Sequence, residues 1–336
     1  MKLTKAKENP IIKPEPNNTW ESMVVCNPGA WYEHGVFYLL YRGAGNDEEH
    51  LIHLGLATST DGINFQRVSD QPVMSPTPNG YDAGCVEDPR IVKFDDLFYV
   101  TYAYRPFPPG QYWLKKSYDH GWPLGQSSPK GLLYNTTNTG LAISKDLKTF
   151  KKLGRITPHD IDNRDVILFP EKINGEYVML HRPVEWVGKD YGCDVPSIWL
   201  AYSDDLMRWK NDYLLATPTF DWELKKIGGS TPPLKTKHGW LVIYHGVSQQ
   251  DEQYRVGAML LDLNDPKKII ARSSSYIMEP EYSYETDGYY TGCVFPTGNV
   301  IVDDTLYVYY GGADKFVCVA TCDINELLEF LLEQKQ

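Results

Sequence analysis

A chain of 336 residues, 42% hydrophobic and 23% charged, holds enough apolar material for a sizeable core, so wholesale disorder is excluded. Its 44 Asp and Glu outweigh 33 Lys and Arg, a formal net charge of −11, which argues against nucleic acid and any other partner held through a phosphate backbone. No run approaches the roughly 18–20 apolar residues of a membrane span, and the opening MKLTKAKENPIIKPEP has no apolar signal region, so the expectation is a cytoplasmic protein without a membrane partner.

The predicted elements repeat along the chain. NPGAWYEHGVFYLLYRG, from Asn27, reads as a hairpin turning at His34-Gly35, and LATSTDGINF follows from Leu56. DPRIVKFDDLFYVTYAYR, from Asp88, is a second hairpin turning at Asp95-Asp96. Residues 106–135, rich in Pro, Gly and Ser, then read as an inserted loop in the second unit, and LAISKDLKTF follows from Leu141. FPEKINGEYVMLHRP, from Phe169, turns at Asn174-Gly175 and is followed by LAYSDDLMRW from Leu200. PPLKTKHGWLVIYHG, from Pro232, and FPTGNVIVDDTLYVYYGGAD, from Phe295, complete the series, and INELLEFLLEQKQ reads as a short amphipathic C-terminal helix.

The hairpin prolines fall at 28, 89, 170, 233 and 296, spacings of 61, 81, 63 and 63, and the long step is the unit with the insertion. The first three units also carry a serine, an aspartate two residues on and an aromatic four beyond that; GAMLLDLNDP and CVATCDINEL look like degenerate forms. Five such units predict an all-β, five-bladed β-propeller forming one domain over residues 1–336. A β-sandwich with unrelated hairpins is the alternative, and the matched prolines oppose it. The 24 Tyr and 9 Trp suit sheet packing first and sugar faces second. Six scattered cysteines without a CxxC predict buried free thiols rather than a disulfide framework or a zinc site.

In a hairpin, the start of the first strand and the end of the second lie together, opposite the turn. Five hairpins around one axis bring those positions to one mouth. They are Asn27 and Arg42; Asp88 with Tyr102 and Tyr104; Arg182 with Arg164 and Asp165; His245 with Lys226; and Asp314. Bases gathered on an acidic protein point to an anion, with salt bridges at a propeller rim as the plainer reading. A glycosidase needs two carboxyl groups. Asp88 is the candidate acid, whereas Glu87, on a regularly alternating strand, points to the opposite face. Asp165 and Asp314 each neighbour bases. Inorganic phosphate as nucleophile needs Arg, Lys and His to hold it and no base to activate it, so the residues favour phosphorolysis.

The segments GCVEDPRIV, DVILFPEKINGEYVMLHRP, KIGGSTPPL, GWLVIYHGV, YRVGAMLLDLNDP and YVYYGGAD resemble glycoside hydrolase family 130, mannoside phosphorylases with a smaller group of β-mannosidases on a five-bladed propeller. The resemblance runs from about Asn9 onward, with the insertion outside it. It implies an inverting glycoside phosphorylase that uses phosphate as co-substrate, with no cofactor or metal, to release α-mannose 1-phosphate from terminal β-mannosides. Asp88 is then the general acid, acting through the mannose 3-hydroxyl. Arg164, Lys226 and His245 would hold phosphate, and Asn27, Arg42 and Asp314 would contact the mannose. Arg182 and Tyr104 join the substrate set from their places at the mouth, while Tyr112, Trp113 and Trp122 of the insertion are candidates to stack on the acceptor.

The chain reads VEDPR where β-1,4-mannooligosaccharide phosphorylases read YDPR, so linkage stays open. The partners expected are a manno-oligosaccharide or mannoside and phosphate, with a homo-oligomer left open. The alternatives are an inverting β-mannosidase using water, with Glu185 or Glu223 as base, and a non-catalytic carbohydrate-binding propeller.

Overall fold

The turn residues of the hairpins take the backbone their chemistry permits: His34, Gly35, Asp95, Asn174, Gly175, Asp303 and Asp304 all have positive φ. In the computed structural model, which describes residues 1–114, 119, 121, 124–158 and 160–334, each hairpin becomes the inner half of a four-stranded antiparallel blade. Blade one comprises Val24–Glu33, Val36–Ala44, Ile52–Ser59 and Gln66–Arg67. Blade two comprises Cys85–Phe94, Leu97–Arg105, Asn138–Ser144 and Phe150–Arg155, and blade three Asn163–Leu168, Tyr177–Pro183, Ile198–Ser203 and Lys210–Ala216. In blade four the inner strand is split into Lys226–Gly229 and Leu234–Thr236, followed by Gly239–Val247, Tyr254–Leu261 and Ile269–Arg272. Blade five is Val294–Val302, Thr305–Gly312 and Phe316–Asp323, and its outer strand is Thr4–Lys5 from the other end of the chain. The N-terminal strand thus closes the ring. The architecture is the all-β five-bladed propeller expected.

Hydrogen bonds between inner strands tie the blades around the axis. Thr297 Oγ1 donates to the Pro28 carbonyl at 3.1 Å, Asn299 Nδ2 to Thr231 Oγ1 at 2.6 Å, and Arg90 Nε to the Ser230 carbonyl at 3.1 Å. Apolar clusters fill the spaces between adjacent blades, as between blades one and two, where Leu40, Leu54, Leu56, Val86, Val100 and Tyr102 meet.

The serine–aspartate motif proves to be a local turn. Asp61 Oδ1 accepts the amides of Ile63 and Asn64, Asp146 those of Lys148 and Thr149, and Asp205 those of Met207 and Arg208. The units that look degenerate keep it. Asp262 accepts from Asn264 and Asp265, and Asp323 from Asn325 and Glu326, where the turn has become the N-cap of helix Ile324–Glu333. That helix buries Ile324, Leu327, Leu328 and Leu331 against blades four and five. No helix among the described residues is long and apolar enough to cross a membrane. The described part of the insertion holds two helical turns, Tyr112–Leu114 and Lys130–Leu133, and all six cysteines are free thiols, five of them buried.

Candidate active site

Three inner strands share one irregularity. The pairing register shifts between Cys26 and Gly29, between Glu87 and Arg90, and between Arg164 and Ile167. Inside these bulges Asn27, Asp88 and Asp165 have φ of 47°, 51° and 53°, left-handed values that Asn and Asp tolerate better than most residues. The kink turns all three side chains into one cavity of about 480 Å³ at the mouth. The sequence expectation for Glu87 fails here for the same reason. Strand alternation breaks at the bulge, so Glu87 faces the mouth beside Asp88 instead of the opposite side.

Around the cavity stand six cations (Arg42, Arg90, Arg105, Arg164, Arg182, Lys226) and four carboxylates (Glu87, Asp88, Asp165, Asp314). The mouth is therefore basic on an acidic protein, although it holds more carboxylates than the hairpin reading placed there. Arg42 Nη1 lies 3.0 Å from Glu87 Oε2 and 3.5 Å from Asp88 Oδ1. Asn27 Nδ2 donates to Asp88 Oδ1 at 2.8 Å, and Arg90 Nη1 donates to the Asp88 carbonyl at 2.6 Å. Asp165 Oδ2 accepts from Arg182 Nε at 2.6 Å, with Arg90 Nη2 3.8 Å from its other oxygen. Arg164 forks onto Asp162 at 2.6 and 2.7 Å, and Lys226 Nζ donates to Tyr254 Oη at 2.6 Å. Gly228 lets these groups close up, because a Cβ there would strike Asp165, His245 and Arg182.

The two adjacent carboxyls are driven apart electrostatically. Burial, then the charge of Glu87, raises Asp88 to about 6 against the pull of Arg42, Arg90 and Asn27. Burial also disfavours the charged form of Glu87, but Arg42, Arg105 and Arg164 outweigh it and hold Glu87 below the usual carboxylate range. Asp165 is likewise held low, burial being overcome by the charge and hydrogen bond of Arg182 and by the charge of Arg90. Lys226 falls to about 7 through burial and then the nearby charge of Arg182, with Arg164 adding to it. One carboxyl is thus suited to give a proton while its neighbour stays ionised, and a lysine stands ready to gain charge when an anion arrives.

A family model described as β-1,4-mannooligosaccharide phosphorylase matches residues 2–108 and 131–333. This chain belongs to glycoside hydrolase family 130. It is 38% identical to a 1,2-β-oligomannan phosphorylase of Thermoanaerobacter sp. strain X514, over 97% of this chain and 99% of that protein. It is 37% identical to a β-1,2-mannobiose phosphorylase of the same organism, over 96% and 97% of the two chains. The fold superposes on the Listeria innocua β-1,2-mannobiose phosphorylase solved with β-1,2-mannobiose at a TM-score of 0.79, with 26% identity and coverage of 98% and 99%.

Within this family 130 chain, Asn27, Arg42, Asp88, Arg164, Arg182, Lys226 and Asp314 all line the mouth. Asp314 sits in the turn after Thr305–Gly312 rather than on the strand, at φ 55°. Three expected residues do not line it. Tyr102, 1% exposed, lies in the core between blades one and two with its hydroxyl donating to Asp82 at 3.3 Å. Tyr104, 2% exposed, packs edge-on against Tyr81 in the core between blades one and two, because the register puts Ala103 and Arg105 at the mouth instead. His245 is fully buried, with Ser230 Oγ 3.1 Å from its Nδ1 and Asp165 3.7 Å from its Nε2. Burial lowers it to about 3 against the attraction of Asp165, so it stands neutral behind Asp165 rather than as a cation facing the cavity.

Neither candidate water-activating base reaches the cavity. Glu185 accepts the Asp162 amide at 2.9 Å, and Glu223, 0% exposed, is bound by Arg272 at 2.7 Å and Tyr244 at 3.0 Å. Of the insertion aromatics, Tyr112 lines the mouth, Trp113 packs on His50 and Tyr289, and Trp122 lies outside the described residues. Arg90 and Arg105 were not among the expected residues. The EDPR motif and the end of the second hairpin strand were the signals that pointed to them. The insertion reaches the mouth through Pro109 and Tyr112, which fall where the family match breaks off, and Tyr134 and Asn135 lie just past its resumption.

Proposed function

We propose that this chain is an inverting β-mannoside phosphorylase acting on β-1,2-linked manno-oligosaccharides. The observation that carries the reading is the partition of charge in the mouth. Glu87 is bound by Arg42 and Asp165 by Arg182, so neither is a free base, while Asp88 is raised into the range of a general acid. Lys226 feels the charges of Arg182 and Arg164, a cost that a bound phosphate dianion removes. The linkage follows the relatives at 38% and 37% identity, named for 1,2-β-oligomannan and β-1,2-mannobiose.

The chemistry follows from that arrangement. Asp88 passes its proton to the glycosidic oxygen, directly or through a sugar hydroxyl, as the bond from that oxygen to C1 breaks. A phosphate oxygen held by Arg164, Arg182 and Lys226 bonds to C1 from the other face, so the configuration inverts. The leaving oxygen keeps the bonding electron pair. The proton that phosphate sheds on becoming an ester returns Asp88 to its acid form. In between, Asn27 and Arg42 hold the Asp88 carboxylate, and with Asp314 they position the mannosyl ring. His245 is a positioning residue that backs Asp165.

The test is product analysis with β-1,2- and β-1,4-mannobiose, each with and without phosphate. The expected result is α-mannose 1-phosphate from the 1,2-linked sugar in phosphate alone. Turnover to mannose in phosphate-free buffer would establish the hydrolase and end the phosphorylase reading.

A further inference from the structure

Four of the five blades contain the same buried knot. A tyrosine near the end of the second strand donates to a carboxylate, and a cation from the outermost strand binds that carboxylate too. The sets are Tyr41–Glu21–Arg67, Tyr102–Asp82–Lys152, Tyr244–Glu223–Arg272 and Tyr310–Glu285–Lys5. Their hydroxyl-to-carboxylate distances run from 2.7 to 3.3 Å, and all four carboxylates are 0% exposed.

Blade three replaces every member. His181 stands at the tyrosine position, one residue before Arg182, as Tyr41 stands before Arg42 and Tyr244 before His245. The outermost strand supplies Asp212 where the others supply a cation. Asp160, three residues before the inner strand like Glu21, Asp82 and Glu223, is exposed.

Where the knot would be, a cavity of about 290 Å³ opens between blades two and three, sharing no lining residue with the mouth. Its wall includes Arg155, Asn163, His181, Trp186, Trp209 and Asp212. His181 and Asn163 are 2% and 1% exposed, yet His181 Nε2, Asn163 Oδ1 and Arg155 Nη1 have no hydrogen-bond partner among the described residues. Asn163 Nδ2 sits 3.1 Å from His181 Nδ1 and can only donate, so the ring hydrogen is on Nε2. That nitrogen lies 3.2 Å from Asp212 Oδ1 without hydrogen-bonding alignment.

The wall thus offers donors from Arg155 and His181, acceptors from Asn163 and Asp212, opposite charges that cancel, and two indole rings. Asp212 weighs against an anion. A neutral ring bearing hydroxyls, each able to give and take a hydrogen bond, matches this set, and the volume is at the small end of ligand pockets. We propose that the cavity is a second, non-catalytic sugar site taking one hexopyranose unit, a mannosyl residue of the oligosaccharide substrate. The polyol class rests on the lining, whereas its identity as mannose rests on the function proposed above.

The experiment is calorimetric titration of β-1,2-mannobiose into the Asp88→Asn protein in phosphate-free buffer, where turnover is suppressed. Two sites are expected. Adding Trp186→Ala should weaken one of them at least tenfold and leave the other unchanged. Should Trp186→Ala impair folding, Asp212→Ala tests the same wall from a half-exposed position. A single site indifferent to both changes overturns the proposal while leaving the mouth intact. Binding confined to the flank supports it and removes the mannoside reading of the mouth.

Discussion

Asn27 donates its side-chain amide to Asp88 at 2.8 Å, and the two residues hold the same bulge position in neighbouring blades. A structural repeat has thus been turned to unlike uses. One copy presents an amide that can only steer, and the next a carboxyl that can give a proton. Because the amide occupies Oδ1, the acid proton of Asp88 belongs on Oδ2. Asp88→Asn keeps the shape and removes the proton. We expect kcat to fall by about 10²–10⁴, the usual contribution of general acid catalysis, with mannobiose affinity retained. Unchanged turnover would remove Asp88 from the mechanism.

The pH profile reads the same pair. With Asp88 at about 6, kcat/KM should decline as pH rises through that value, because the acid must be protonated. Glu87 raises Asp88 and Asn27 lowers it. Glu87→Gln also releases Arg42 to act on Asp88 alone, so its alkaline limb should move to lower pH. Asn27→Ala should move the limb the other way. Shifts of the same sign in both variants would contradict the assignment.

Lys226, at about 7, is charged below neutrality and loses its proton above it in the ligand-free site. KM for phosphate should therefore climb between pH 7 and 8 in the parent protein. Lys226→Arg stays charged throughout and should show only the change due to phosphate's own titration, while Lys226→Gln should have a high KM at both pH values. Initial-rate kinetics in varied phosphate distinguishes the three, and identical slopes for Arg and Lys would exclude a titrating lysine.

Glu223 tests the boundary between site and scaffold. It is bound to Arg272 and Tyr244 within a knot that does not line the mouth. Glu223→Gln leaves a buried guanidinium uncompensated, for which about 3–5 kcal/mol of stability is the usual cost. We expect a clear drop in Tm by calorimetry, with the phosphate requirement unaltered in the folded fraction. A variant of normal Tm that loses turnover would return Glu223 to the chemistry.

The insertion should govern the acceptor. Tyr112 and Tyr134 line the mouth and are 41% and 70% exposed, so their rings remain available to a sugar. Deleting residues 111–128, or Tyr134→Ala alone, should alter acceptor-length preference in the synthetic direction severalfold and leave KM for phosphate near its starting value. The opposite pattern would place the loop over the phosphate.

Much of this architecture was legible in the chain because its signals are local. Hairpin turns, proline spacing and the aspartate that binds amides two and three residues ahead each act within a few residues, so they survive being read in one dimension. Even the units that look degenerate in sequence, around Asp262 and Asp323, keep that turn in the fold. Asp88, Arg42, Arg164, Arg182 and Lys226 were legible too, since hairpin ends must converge when blades close on an axis.

The failures have one origin. Glu87 reaches the mouth because a bulge cancels the alternation a regular strand would impose. Tyr102 and Tyr104 leave it because their rings pack between two blades, and His245 withdraws behind Asp165 and against the blade-five ring of Phe295. Blade number, ring order and the gathering of bases at one end followed from short-range chemistry written along the chain. Which of those side chains keeps a proton, which loses its charge and which faces the cavity was decided only by tertiary packing, since desolvation and like-charge proximity arise between residues that the chain holds far apart.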